Sequence, residues 1–238
     1  MKAILFFTFL LASGSLKAHA IWIETNSAGK LGKAQEVRVY FGEYSENERD
    51  SAGHWFSDLG KFHLWAISPG GTKSELTTKE AGNAYSVKFT PTEKGVYTFA
   101  IDHLVADVYY QSLIHYYAVA TTVIDGSVVG EENLAKATDL AFNVPLNKIF
   151  QTNENVEVDV FYQEKPATEV KFSVQPPLGW TKEFTLNEKG HGFFKPFIDG
   201  KYMMEGFLTE NTSGTHNGKE YGAIWHCVTY CVDVKKVK

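Results

Sequence analysis

Eight histidines occupy positions 19, 54, 63, 103, 115, 191, 216 and 226, and the two cysteines are Cys227 and Cys231. None of these falls in an H-x-x-x-H, H-E-x-x-H or C-x-x-C arrangement, so any metal site must be assembled across the fold from distant segments. His19 is the first candidate. If a leader is cut just before it, its α-amine and imidazole form a bidentate metal ligand on one residue. His103 follows an apolar run, Tyr97 to Ile101, and His115 opens another, Tyr116 to Ile124. If those runs form a hairpin, the segment Leu104 to Ile114 is its loop and returns His115 close to His103. The two imidazoles, completed by His19 or a carboxylate such as Glu43, then suit Ni²⁺, Co²⁺, Cu²⁺ or Zn²⁺. The alternative is that His103 and His115 make ordinary loop hydrogen bonds.

The remaining candidates are weaker. His226 alternates with Val228 and Tyr230 and reads as a core histidine, His216 falls in a solvent loop, and His54, His63 and His191 have no evident partner. Cys227 and Cys231 point the same way along a strand but sit ~13 Å apart at ~3.3 Å per residue, too far for a disulfide without a bulge, so two free thiols are expected. No G-x-S-x-G elbow, P-loop or G-x-G-x-x-G occurs, and no catalytic carboxylate pair separates from the 28 acidic residues. Among the tryptophans, Trp55 lies in the polar stretch Glu46 to Gly60 and is the first to consider as an exposed sugar platform.

The elements that must position these side chains are strands. Val37 to Phe41, Phe62 to Ile67, Tyr85 to Phe89, Tyr97 to Ile101 and Tyr116 to Ile124 are β-branched and aromatic runs separated by Pro69-Gly70-Gly71, Gly82-Asn83 and Thr92 to Gly95. Short strands with this punctuation predict an all-β sandwich. An internal repeat sets the domain count. Phe89-Thr90-Pro91 followed by Gly95-Val96-Tyr97 is echoed by Phe194-Lys195-Pro196 followed by Gly200-Lys201-Tyr202. In each copy the glycine supplies a turn conformation and the tyrosine can cap the sandwich edge with its hydroxyl. Two tandem β-sandwiches are expected, at 19–125 and 138–238, with 126–137 as a linker holding at most a helical turn.

The first 18 residues read as a signal peptide: Met1-Lys2, the apolar run Ala3 to Ala12, the break Ser13-Gly14-Ser15, then small residues at Ala18 and Ala20. The apolar run is too short for the ~20 residues that cross a membrane, and no cysteine follows it to carry a lipid. Cleavage after Ala18 leaves His19 as the N-terminus, and cleavage after Ala20 leaves Ile21. The expectation is an exported protein, periplasmic or secreted, with no transmembrane segment in the mature chain. The net charge is −5, and Lys2 and Lys17 leave with the leader. An acidic chain lacks the basic stripe that nucleic acid requires.

Ala18-His19-Ala20-Ile21-Trp22-Ile23-Glu24 after a leader, Val39-Tyr40-Phe41-Gly42-Glu43-Tyr44, Gly214-Thr215-His216-Asn217-Gly218-Lys219 and Trp225-His226-Cys227-Val228-Thr229-Tyr230 carry a resemblance. From His19 to Val234 the chain resembles an exported bacterial family of unknown function formerly labelled nickel-uptake, or nickel/cobalt transport periplasmic, components. The second half also resembles transthyretin-like, carboxypeptidase-regulatory-type modules, through Thr185-x-x-x-Lys189-Gly190 and Gly200-x-Tyr202. The resemblance implies a non-enzymatic protein of Ig-like or transthyretin-like sandwiches that captures Ni²⁺ or Co²⁺ and presents it to an envelope transporter. The alternatives are a structural or interaction module that binds protein or glycan at the cell envelope, and a copper protein with a histidine brace at His19.

Overall fold

A computed structural model describes residues 19–237. The expected leader, residues 1–18, lies outside them. The first half contributes β1 (Ala20–Glu24), β2 (Ala28–Gly29), β3 (Gln35–Gly42), β4 (Leu64–Ile67), β5 (Lys73–Leu76), β6 (Lys79–Ala81), β7 (Ala84–Phe89), β8 (Gly95–Tyr109) and β9 (Ser112–Ile124). The second half contributes β10 (Leu140–Asn143), β11 (Phe150–Gln151), β12 (Val156–Tyr162), β13 (Lys165–Pro166), β14 (Lys171–Gln175), β15 (Lys182–Phe184), β16 (His191–Phe194), β17 (Gly200–Glu210), β18 (Gly214–His216), β19 (Lys219–Tyr221) and β20 (Ala223–Lys235). The fold is all-β and sandwich-like, as the alternating runs predict. The linker stretch carries a short 3-10 helix, Glu131–Lys136, two turns rather than the single turn expected, and its Leu134 is fully buried in the second core.

The two halves share a sheet. In the ten-stranded central sheet the order β15-β14-β17-β20-β9-β8-β4-β5 crosses from one half to the other at β20 and β9, which pair in parallel from Ala223↔Ser112 to Tyr230↔Val119. Successive side chains of a strand face opposite ways, so β9 serves both cores. Tyr116, Ala118 and Ala120 pack with Ile21, Val39, Phe41 and Phe99 under the sheet β1-β3-β7-β6. Tyr117 and Val119 pack with Phe142, Phe172, Met204 and Val228 under β10-β12-β13, which β16 extends through β12. A strand that serves two cores has no solvent face, and β9 is buried almost throughout.

Strand β1 is also buried on both faces. Ile21 and Ile23 enter the first core, whereas Trp22 turns towards Met203 and Cys231 of the second half and stacks on Tyr40. Thr229 Oγ1 donates to the carbonyl of Ile21 at 2.7 Å, tying this wedge to β20.

Both repeated tyrosines do what the repeat suggests. The Tyr97 hydroxyl accepts from the backbone N–H groups of Thr92 at 3.1 Å and Glu93 at 3.0 Å. The Tyr202 hydroxyl donates to the Ile198 carbonyl at 3.0 Å and accepts from the Ile198 N–H at 3.3 Å. Each closes the turn before its own strand, the arrangement known as a tyrosine corner. The preceding glycines are required there: Gly95 has φ 134° and Gly200 φ 133°, and a Cβ on either would meet a proline ring at 2.7 Å (Pro69 and Pro177). Tyr97→Phe and Tyr202→Phe should each cost about 1 kcal/mol, because a part-buried hydroxyl and the turn it closes lose their hydrogen bonds. Thermal unfolding checks this, at roughly 2–4 °C per kcal/mol for a chain of this size. Unchanged melting would show that the corners contribute nothing.

Candidate functional site

The first described residue sits beside a tight return of the chain. Ala20 pairs with Gly42, so His19 lies next to the end of β3. Gly42 has φ 149°, and a Cβ there would clash with the carbonyl oxygen of Glu48. Only glycine lets the segment 43–50 fold back onto the strand end. Backbone bonds fix the return: Glu48 N–H donates to the Glu43 carbonyl at 3.0 Å, and Asp50 N–H to the Phe41 carbonyl at 2.9 Å. The Trp55 indole adds a bond to the Asp50 carbonyl at 3.3 Å. Arg49 lies 5.4 Å from the Trp22 ring centroid and 5.1 Å from that of Tyr40, with Nη2 3.5 Å from Glu24 Oε1. With Arg49 held on that side, its neighbours Glu48 and Asp50 are delivered to His19.

Ligand atoms of His19, Glu48 and Asp50 lie within 4.8 Å of one another, and His19 Nε2 is 3.8 Å from Asp50 Oδ1. The His19 ring rests against Phe41 at 5.4 Å, and its carbonyl accepts from the Tyr116 hydroxyl at 2.9 Å. His19 and Asp50 side chains are about one-third exposed (33% and 32%), so the group is open to solvent. One imidazole nitrogen and two carboxylates on a mouth of this kind can bind a divalent transition metal.

The other expected ligands are elsewhere. His103 and His115 do belong to one hairpin, but the strands continue through the expected loop to a two-residue turn, Tyr110-Gln111, with φ 43° and 61°. The register opposes His103 to Tyr116 and Leu104 to His115, which puts the two imidazoles on opposite faces of the sheet. His103 Nε2 bonds Asp58 Oδ1 at 3.1 Å, and the Ala106 N–H donates to the same oxygen at 2.9 Å. Burial raises the Asp58 pKa, but these two donors win and hold it below the usual carboxylate value. His103 therefore fastens the helical turn Leu59–Lys61 region to β8. Glu43 Oε1 accepts from Ser45 Oγ at 3.0 Å and is absent from the His19 group.

His115 joins a different cluster, at the seam between the halves. It stands directly opposite His226 in the β9–β20 register, with ring centroids 5.6 Å apart. The Tyr117 hydroxyl sits between them, 2.9 Å from His115 Nδ1 and 3.1 Å from His226 Nδ1. Outer partners complete the row: Asp102 Oδ1 at 2.5 Å from His115 Nε2, and Glu210 Oε2 at 3.2 Å from His226 Nε2, with Tyr162 bonded to Glu210 at 3.0 Å. One hydroxyl donates only once. With the Nε2–H groups of His115 and His226 donating to Asp102 and Glu210, Tyr117 lies between two Nδ1 atoms and its one proton serves one of them at a time. Both nitrogens of His115 are thus engaged, which removes it from the ligand set. His226 is the satisfied core histidine that its alternation predicts, and both thiols are free.

Trp55 is a correction too. It is 7% exposed and packs among Phe41, Phe62 and Tyr85, because the polar stretch around it folds onto the first core. His216 belongs to the small ribbon β18–β19, and His63 and His191 face Glu75 at 2.6 Å and Asp159 at 2.8 Å. Glu48 and Asp50 went unnoticed in the sequence. The available signal was Gly42 at the end of a strand, followed by an acidic stretch long enough to double back.

Two buried groups predict opposite pH trends. Burial lowers the His226 pKa, with the neighbouring His115 adding to this against the pull of Glu210 and Asp139. Folded His226 therefore holds fewer protons than unfolded His226 below its ordinary 6.5, and its contribution to stability falls as pH drops through that range. Glu205, bonded by Gln175 at 2.9 Å and Cys227 at 3.4 Å, is pushed up to about 7 by burial and the nearby Glu43, from 4.5. Folding then binds a proton, and stability falls as pH rises from 4.5 towards 7. In denaturant melts at pH 5.5 and 7.5, values chosen about a unit either side of 6.5, Glu205→Gln should gain on the wild type as pH rises. His226→Gln should lose ground over the same interval. Parallel trends in the two variants would contradict the assignment.

No family model and no curated protein matches this chain. Among solved structures, Escherichia coli alpha-2-macroglobulin activated by porcine elastase is similar over 90% of this chain and 20% of its own, at 11% identity and a TM-score of 0.30. A marsupial T cell receptor is similar over 92% of this chain and 74% of its own, at 8% identity and a TM-score of 0.25. The chain therefore spans about one-fifth of the macroglobulin's length.

Proposed function

We propose that this chain is an exported, non-enzymatic protein that captures a divalent transition-metal ion at His19, Glu48 and Asp50. The convergence of their ligand atoms within 4.8 Å is the observation that carries the reading. Cleavage after Ala18 adds the His19 α-amine and gives two nitrogen and two carboxylate donors. Two contacts favour that cleavage point over one after Ala20. Ala20 is a buried strand residue paired with Gly42, and the His19 carbonyl satisfies the hydroxyl of Tyr116, which burial holds protonated. Removing both residues would unpair a strand end and orphan a buried donor.

Nitrogen and carboxylate donors of this kind follow the order Cu²⁺ > Ni²⁺ > Co²⁺ in affinity, so the ion carried depends on supply. The family resemblance favours Ni²⁺ or Co²⁺ handed to an envelope transporter. The histidine-brace reading is weaker, since a single imidazole belongs to the group. Ligating imidazole must be neutral, so binding weakens in acid.

Calorimetric titration with Ni²⁺ tests this on two forms, one beginning at His19 and one extended by Gly-Ser before it. The first should bind about tenfold or more tighter, or ~1.4 kcal/mol. His19→Ala and Asp50→Asn should abolish the heat while leaving the melting curve in place. Equal heats in wild type and both variants would remove the proposal. Arg49→Ala should weaken Ni²⁺ binding without touching a ligand, through loss of the clamp on segment 43–50.

A further inference from the structure

The open side of the second sandwich holds a groove of about 950 Å³, between β15 and β16. Its floor is core: Phe184, Phe194 and Tyr202. Its rim is aromatic and wet, with Trp180 82% exposed, Phe197 60% and Phe193 54%. Rings this exposed around a way into the core are unusual on a chain that meets only water. Both strands beside the groove have a free edge among the described residues, since β15 ends the central sheet and β16 pairs only with β12. The charge is one-sided as well. Lys182 and Lys195 line the groove and no carboxylate does, on a chain whose net charge is −5. His191, also in the lining, is committed to Asp159.

We infer that this groove binds an extended acidic peptide segment of a partner protein, which adds a strand along the edge of β15. Trp180, Lys182 and Phe184 are spaced by two and all line the groove. A strand laid beside them meets ring, ammonium and ring in turn, which selects apolar, acidic and apolar side chains at alternate positions. Main-chain hydrogen bonds to the free edge supply the affinity common to any such segment, and the lysines set the sign of charge. The site is independent of the metal proposal and lies on other strands.

The probe is a fluorescein-labelled peptide, valine-threonine-glutamate-threonine-valine flanked by threonines, followed by anisotropy on the full processed chain. Saturable binding is expected, weakened by salt and by about tenfold or more in Trp180→Ala and in Lys182→Glu/Lys195→Glu. Replacing the probe's glutamate with lysine, or N-methylating alternate amides, should cost as much. These side chains are exposed, so the variants should melt and take up Ni²⁺ as the wild type does. Binding unaffected by the variants or by N-methylation would overturn the inference. So would binding of polygalacturonate in place of the peptide, or a wild-type dimer in sedimentation that Trp180→Ala splits, which would assign the groove to a glycan or to a second copy.

Discussion

The parallel pairing of β9 with β20 constrains everything else in this molecule. Parallel strands cannot be joined by a short turn, and here the chain travels from Ile124 to Ala223 before the pairing closes. Once it has closed, side-chain alternation divides each of the two strands between two cores. Tyr116 and Cys227 face one and Tyr117 and Val228 the other, so neither half can slip by one residue without exchanging its core face for the wrong one. The seam is therefore the place where the two repeats become one object. Its polar row, Asp102 through His115, Tyr117 and His226 to Glu210, occupies the end of that pairing and draws on both halves. A register error would leave buried donors without acceptors, which gives the row a specifying role beyond its net energy.

The same constraint places the metal candidate. Strand β1 is the edge of the first sheet and lies against β20 and β17, with Trp22 against Met203 and the Ile21 carbonyl bonded to Thr229. Its start is fixed from the other side by Tyr116, a residue of β9. An N-terminal segment normally frays. This one is held at His19 by Phe41 and Tyr116 and at Ile21 by Thr229, and a loose segment could not present an imidazole to Glu48 and Asp50 at a defined separation. The position of His19 thus follows from packing rather than from local sequence.

What was legible in the sequence was local. Strand runs, turn punctuation and the repeated Gly-x-Tyr need only neighbours within a few residues, and Tyr97 and Tyr202 bond the turns just ahead of them. What was hidden depends on register and return. That His103 and His115 share a hairpin is readable from their flanks, but their facing is decided by one residue of register, and the bulge between Leu104 and Val108 is invisible in composition. The meeting of His115 with His226 depends on a pairing between positions more than a hundred residues apart, for which the sequence offers no period. Glu48 and Asp50 were passed over because acidic residues in a polar stretch ordinarily face solvent. It takes the backbone conformation of Gly42 to bring them back.

These placements also explain why the candidate metal site draws on so few of the eight histidines. His63, His103, His115, His191 and His226 each face a carboxylate. An imidazole hydrogen-bonded to a carboxylate is oriented and made more basic, which helps a metal only if its other nitrogen is free. At His115 that nitrogen is taken by Tyr117, and at His226 both nitrogens have partners. His103 is buried, 8% exposed, and has no open mouth. His19 differs in kind: its carboxylate neighbour stands at 3.8 Å, beyond hydrogen-bond distance, with Glu48 beside it and solvent in front. Separated acceptors around an accessible imidazole leave room for an ion to coordinate all three at once, whereas a closed hydrogen bond would have to be broken first. On that argument the distance between His19 and Asp50, too long for a bond of its own, is what recommends the pair as ligands.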